Sequence, residues 1–129
     1  MKNSAQKLIL PLVVLLVLVA AKTDFGQAPP QEEPPANVAG KWTLYCNDPN
    51  GTTSTKYLEI KQDGTTLSGH FKGVYQSGGI EGTVHGNHIF VKTKTRDVTG
   101  FHGTVNGNTM KGSFHNRGGE GTFQGERTE

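Results

Sequence analysis

The chain has 129 residues, room for one domain, and a composition that is 33% hydrophobic and 19% charged. Its formal charge is +2, but Lys2 and Lys7 stand at the extreme N-terminus, and without them eleven basic residues face eleven acidic ones. That balance excludes nucleic acid as the expected partner, because phosphate binding needs a surplus of Lys and Arg. The single cysteine, Cys46, excludes an internal disulfide.

The first element is a leader. Lys2 and Lys7 form a positive start, Leu8 to Ala21 is a 14-residue apolar run, and Val19-Ala20-Ala21 supplies small residues for cleavage. The run is short for a membrane span and has the build of a signal-peptide core, so residues 1–21 predict export to a periplasm or the medium. The membrane enters as a partner only if this leader is retained as an anchor. Residues 22–37 follow, with Gln27 to Asn37 rich in Pro and acid and without an apolar period. They predict a stiff, disordered tether.

The domain proper is predicted over Val38 to Glu129, and it is written in repeats. Asp63-Gly64-Thr65-Thr66-Leu67-Ser68-Gly69-His70-Phe71 returns as Asn106-Gly107-Asn108-Thr109-Met110-Lys111-Gly112-Ser113-Phe114, 43 residues on. Gly82-Thr83-Val84-His85-Gly86-Asn87-His88-Ile89 returns as Gly103-Thr104-Val105-Asn106-Gly107-Asn108-Thr109-Met110, 21 residues on. An offset near 21 is the length of one two-stranded hairpin, so the domain is a stack of hairpins.

Apolar and polar residues alternate along each predicted strand, which marks half-buried antiparallel strands. The first carries Gly40, Trp42, Leu44 and Cys46 inward. The second carries Leu58 and Ile60, and the third Leu67, Gly69 and Phe71. A turn at Asp63-Gly64 would pair Ile60 with Leu67 and Leu58 with Gly69. The fourth strand turns Ile80, Gly82 and Val84 inward, and the fifth Ile89, Val91 and Thr93. Phe101, Gly103 and Val105 follow on the sixth, then Met110, Gly112 and Phe114 on the seventh. Gly121, Phe123, Gly125 and Arg127 end the eighth. The spacing of roughly 11 residues per strand and turn is that of a small sandwich or barrel. Inward glycines permit coiling, and closure removes exposed edges, so the predicted fold is all-β, an eight-stranded antiparallel up-and-down barrel, expected as a monomer, rather than an open sandwich.

Gly40-Lys41-Trp42 on the first strand with Arg127 on the last resembles the lipocalin and avidin superfamily of up-and-down barrels. The resemblance implies a Trp at the closed end with a basic residue across it, so Gly40, Trp42 and Arg127 are expected to close the barrel. The Gly-containing hairpins are similar to small lipocalin-like domains of bacterial exported proteins. The chain is shorter than a typical lipocalin and its loops are short. Val38-Ala39-Gly40-Lys41-Trp42-Thr43-Leu44 also resembles the opening of bacterial periplasmic inhibitors of secreted metalloproteases. Those are eight-stranded barrels that insert an N-terminal arm, here residues 22–37, though they carry a disulfide that one cysteine cannot form.

Few residues suggest chemistry. His85 and His88 flank the Gly86-Asn87 turn, and His70, His102 and His115 fall on outward positions, with no third ligand converging. They read as surface residues, and no metal or cofactor is expected. Cys46 shares a face with Trp42 and Leu44 and reads as a small buried hydrophobe. No nucleophile elbow, phosphate loop or paired carboxylates appear, so catalysis is not expected. Phe90, Lys92, Lys94 and Arg96 alternate onto one face of the fifth strand. They form either a solvated wall or a contact patch for an acidic partner or an anionic surface, with Phe90 as its apolar anchor. A ligand would sit inside the barrel away from Trp42, lined by Leu44, Cys46, Leu58, Phe71, Ile80, Val91, Phe101 and Phe114. The same residues would serve as a packed core. The expected role is non-catalytic binding of a small apolar ligand or a protein partner, with protease inhibition through the arm as the alternative.

Overall fold

The computed structural model describes residues 33–129. The expected leader and residues 22–32 of the expected tether lie outside the described residues. Eight strands follow in chain order: β1 Gly40–Asn47, β2 Thr53–Asp63, β3 Thr66–Lys72, β4 Ser77–His85, β5 His88–Lys94, β6 Gly100–Asn106, β7 Thr109–Asn116 and β8 Gly119–Arg127. Each pairs antiparallel with the next, and β8 returns to β1 with Trp42 opposite Arg127 and Cys46 opposite Phe123. The result is a closed barrel without edges.

Every inward set read from the alternation faces the interior. One register differs. The β2–β3 turn is Gly64-Thr65, so Asp63 opposes Thr66, Ile60 opposes Gly69 and Leu58 opposes Phe71. Gly64 takes φ +63° as the first of the two turn residues. A two-residue displacement preserves the facing, because side chains alternate with period two. The same device recurs at Gly86-Asn87 and Gly107-Asn108, with φ of +57° and +62° at the glycines. The sequence repeats are therefore repeats of one turn.

Inward glycines let neighbouring strands close in. A side chain on Gly112 would run into the His102 carbonyl, with the Gly103 Cα only 2.6 Å away. Gly103 is the residue directly opposite on β6. Around these points the interior is filled. Trp42, Phe71, Phe101, Phe114 and Phe123 are all at most 2% exposed. Phe101 is the hub, its ring 6.0 Å from Phe71, 5.6 Å from Phe114 and 5.6 Å from Phe123. Offset and tilted ring pairs at such distances add about 0.5–1.5 kcal/mol each beyond area burial.

One end of the barrel is sealed by the chain that enters it. The Trp42 indole donates to the Val38 carbonyl at 2.9 Å, and Val38 N donates to Gln62 Oε1 at 2.8 Å. Arg127 lies over Trp42, Cζ 4.7 Å from the ring centroid. Its guanidinium also donates to the carbonyls of Ala39, Asn37 and Gly107 and to Asn108 Oδ1. Gly40, at φ +130°, passes so close to the C-terminal backbone that a side chain would strike the Glu129 carbonyl. Ala36 and Asn37, within the segment expected as tether, are bonded onto this end, Ala36 N donating to the Gly86 carbonyl at 2.7 Å.

Candidate functional site: a cleft at the open mouth

The opposite end carries the loops 48–52, 73–76 and 95–99 and the turn Arg117-Gly118. Together with the strand ends they surround a half-open cleft of about 870 Å³. This lies within the range of roughly 300–1,000 Å³ usual for small-molecule sites. Its floor is Lys56, Phe71 and Thr99, and its walls include Asp48, Gln76, Arg96, Asp97 and Arg117.

Lys56 is the least expected member. Ser54, Lys56, Leu58, Ile60 and Gln62 are in phase along β2, so the alternation that buries Leu58 also turns Lys56 inward. Its side chain is 10% exposed. The ammonium donates to Asp48 Oδ1 at 2.9 Å and to Ser54 Oγ at 2.6 Å, and it stands 4.9 Å from the Phe114 ring centroid. Ser54 Oγ in turn donates to Asp48 Oδ1. A buried cation is tolerable only when paired and hydrogen-bonded in this way.

Two lips hold the cleft open. On one, Asp48 N donates to the Thr52 carbonyl, Gly51 N to the Asp48 carbonyl, and Asn50 Oδ1 accepts from Thr52 N and Oγ1. On the other, Gln76 crosses from the β3–β4 loop to the β5–β6 loop. Its Nε2 donates to the Asp97 carbonyl at 2.6 Å, and its Oε1 accepts from Asp97 N at 3.2 Å. Thr93, Thr95 and Thr99 continue this network beneath it. Arg117 Nη2 stands 3.1 Å from Asp97 Oδ1, but off the line of a hydrogen bond, and that oxygen is buried without an aligned donor. Val74, Tyr75 and Val98 project from the rim, Tyr75 at 97% exposure.

Of the eight residues expected to line a ligand site, only Phe71 borders this cleft. Leu44, Leu58, Ile80, Val91, Phe101 and Phe114 are packed together in the buried core. Four phenylalanines and Trp42 occupy the bore, the packed-core arrangement that the same residues also allow, and the cleft lies outside it at the mouth. Cys46 is buried and borders a smaller groove of about 420 Å³ between β1, β2 and β8. Burial pushes its thiol above the ordinary value of 9.0, with Lys56 pulling in the opposite direction.

The expected fifth-strand patch is divided. Phe90, Lys92 and Lys94 face outward on β5, where the Phe90 ring lies tilted against His102, centroids 4.6 Å apart, and Lys92 opposes Glu81. Arg96 lies beyond the end of β5, on the loop that walls the cleft. β5 ends at Lys94, so the strand alternation does not carry Arg96 onto that face. Among the described residues, no three His, Cys, Asp or Glu side chains converge as metal ligands would.

Known proteins offer little to set beside this cleft. No family profile and no curated protein matches the chain. Among solved structures, a Schistosoma mansoni fatty acid binding protein in complex with arachidonic acid is similar at 14% identity and a TM-score of 0.47, covering 70% of this chain and 96% of that one.

Proposed function

We propose that this is an exported, monomeric, non-catalytic binding protein that takes a small ligand with an apolar part and a polar end in the mouth cleft. One observation carries the reading. The bore is filled by aromatic side chains, while the unsealed end holds a walled cleft with an apolar floor at Phe71 and a buried ammonium at Lys56. Hydrogen bonds already fix both lips, so binding would cost little ordering. Export rests on the sequence of residues 1–21. The ligand is small and partly hydrophobic, no cofactor is invoked, and nucleic acid is not a partner. The alternative, protease inhibition by insertion of residues 22–37, has less support, because Ala36 and Asn37 are engaged by the barrel's sealed end.

Native mass spectrometry of the gently purified protein, set against its denatured mass, tests the proposal. Extra mass released on denaturation, or saturable one-to-one binding of anilinonaphthalene sulfonate that Lys56→Met weakens, is the expected result. A bare mass with no saturable binding of that anionic aromatic probe would sink it. Protease inhibition lost on trimming residues 22–35 would put the alternative in its place.

A further inference from the structure

Six large hydrophobic side chains are exposed among the described residues, and three of them, Val74, Tyr75 and Val98, lie on the two loops that Gln76 ties together. They form one edge on one lip of the cleft. Tyr75 is 97% exposed, so folding gains almost nothing from its ring. The loop bearing it is nevertheless held, with Gly73 N bonded to the Gln76 carbonyl at 2.8 Å. An aromatic ring kept in water on a fixed loop is placed for something outside the chain.

The charges nearby indicate what. Lys72 and Lys94 end β3 and β5, and Arg96 and Arg117 stand on the adjoining loop and turn. Against these four cations the rim sets Asp97, which faces Arg117, and Glu120. Lys56 and Asp48 neutralise each other below. The mouth is thus a cationic rim with an apolar, Tyr-bearing edge, the combination that seats amphipathic surfaces at a lipid interface.

We propose that the mouth docks on a membrane surface rich in anionic headgroups, with Tyr75, Val74 and Val98 entering the interface and Lys94 and Arg96 beside the headgroups. This goes beyond the cleft's ligand and needs neither an occupied cleft nor a retained leader. The apolar edge is small, so docking requires both contributions and falls with salt. It would also open the cleft directly onto lipid.

The test is co-sedimentation of the exported protein, its leader of residues 1–21 removed, with phosphatidylglycerol vesicles and with phosphatidylcholine vesicles. Binding is expected on the former and not the latter. Each cation near an anionic surface is worth about fivefold in affinity, so Lys94→Gln with Arg96→Gln should weaken binding about 25-fold. Val74→Ser, Tyr75→Ser and Val98→Ser together should abolish it, while Tyr45→Ser with Tyr57→Ser, on exposed outer positions of β1 and β2, should leave it unchanged. An environment-sensitive dye on Tyr75→Cys should shift to the blue on phosphatidylglycerol vesicles, and the same dye on Tyr57→Cys should not. Absence of binding to phosphatidylglycerol, or binding indifferent to both mouth variants, overturns the proposal. Loss of vesicle binding with retained one-to-one probe binding would reject docking and leave the cleft reading standing.

Discussion

Lys56 concentrates the account at the scale of one residue. Its ammonium is buried against Phe114 and held by Asp48 and Ser54, so removing either partner of the pair has a defined consequence. Asp48→Ala leaves a buried cation without its carboxylate and should destabilise the fold by about 2–4 kcal/mol in chemical denaturation. Lys56→Met keeps the volume but leaves the Asp48 carboxylate without its cation, so it too should destabilise the fold, by about 2–4 kcal/mol, while affinity for an anionic probe drops by about tenfold. Cys46, two residues before Asp48, gives a pH signature. Burial holds its folded value above 9.0, so its contribution favours the folded state below that pH and is lost as pH rises beyond it. Denaturation midpoints measured from about pH 8 to about pH 10 should fall more steeply for the parent than for Cys46→Ala. Lys56 was legible in principle: it is in phase with Leu58 and Ile60, and only the habit of placing Lys outside hides it. Asp48 was not, because its position depends on how the 48–52 loop folds back.

At the scale of elements, the eight strands and their facing follow from alternation alone, which is why the sequence reading reaches them. The β2–β3 register does not follow, since Asp63-Gly64 and Gly64-Thr65 are both acceptable turns that give the same facing. The strands choose between them through the positive φ at Gly64 and the pairing of Asp63 with Thr66. Loops carry no period at all, and the cleft is built from loops. Gln76 illustrates this: a polar residue in a four-residue connection, it joins two hairpins through the backbone of Asp97. Gln76→Ala should cost about 1–2 kcal/mol of stability and speed hydrogen exchange at the Asp97 amide. Weaker probe binding should accompany that change, because the lip loses its support. Unaltered exchange at Asp97 would mean that the loop is held by other contacts.

At the scale of the whole molecule, the two ends of the barrel are unlike. Arg127, Trp42, Val38 and Gln62 seal one, and four connections leave the other open around a cleft. Between them Phe101 touches three other rings, so the bore is a core and not a cavity. The sequence shows the aromatic residues but not their total volume against that of the bore, so an internal site and a packed core read alike until the strands are closed. Phe101→Ala should therefore cost about 3–5 kcal/mol, a penalty of core loss, as read by thermal or chemical denaturation. The central claim is that the ligand sits at the mouth and leaves the bore untouched. The measurement that bears on it most directly is a backbone amide chemical-shift map of the protein titrated with anilinonaphthalene sulfonate. Shifts should gather at Asp48, Ser54, Lys56, Phe71, Gln76, Asp97 and Arg117 and be absent at Leu44, Ile80, Val91 and Met110. Shifts centred on those four interior residues would contradict the account and return the site to the inside of the barrel.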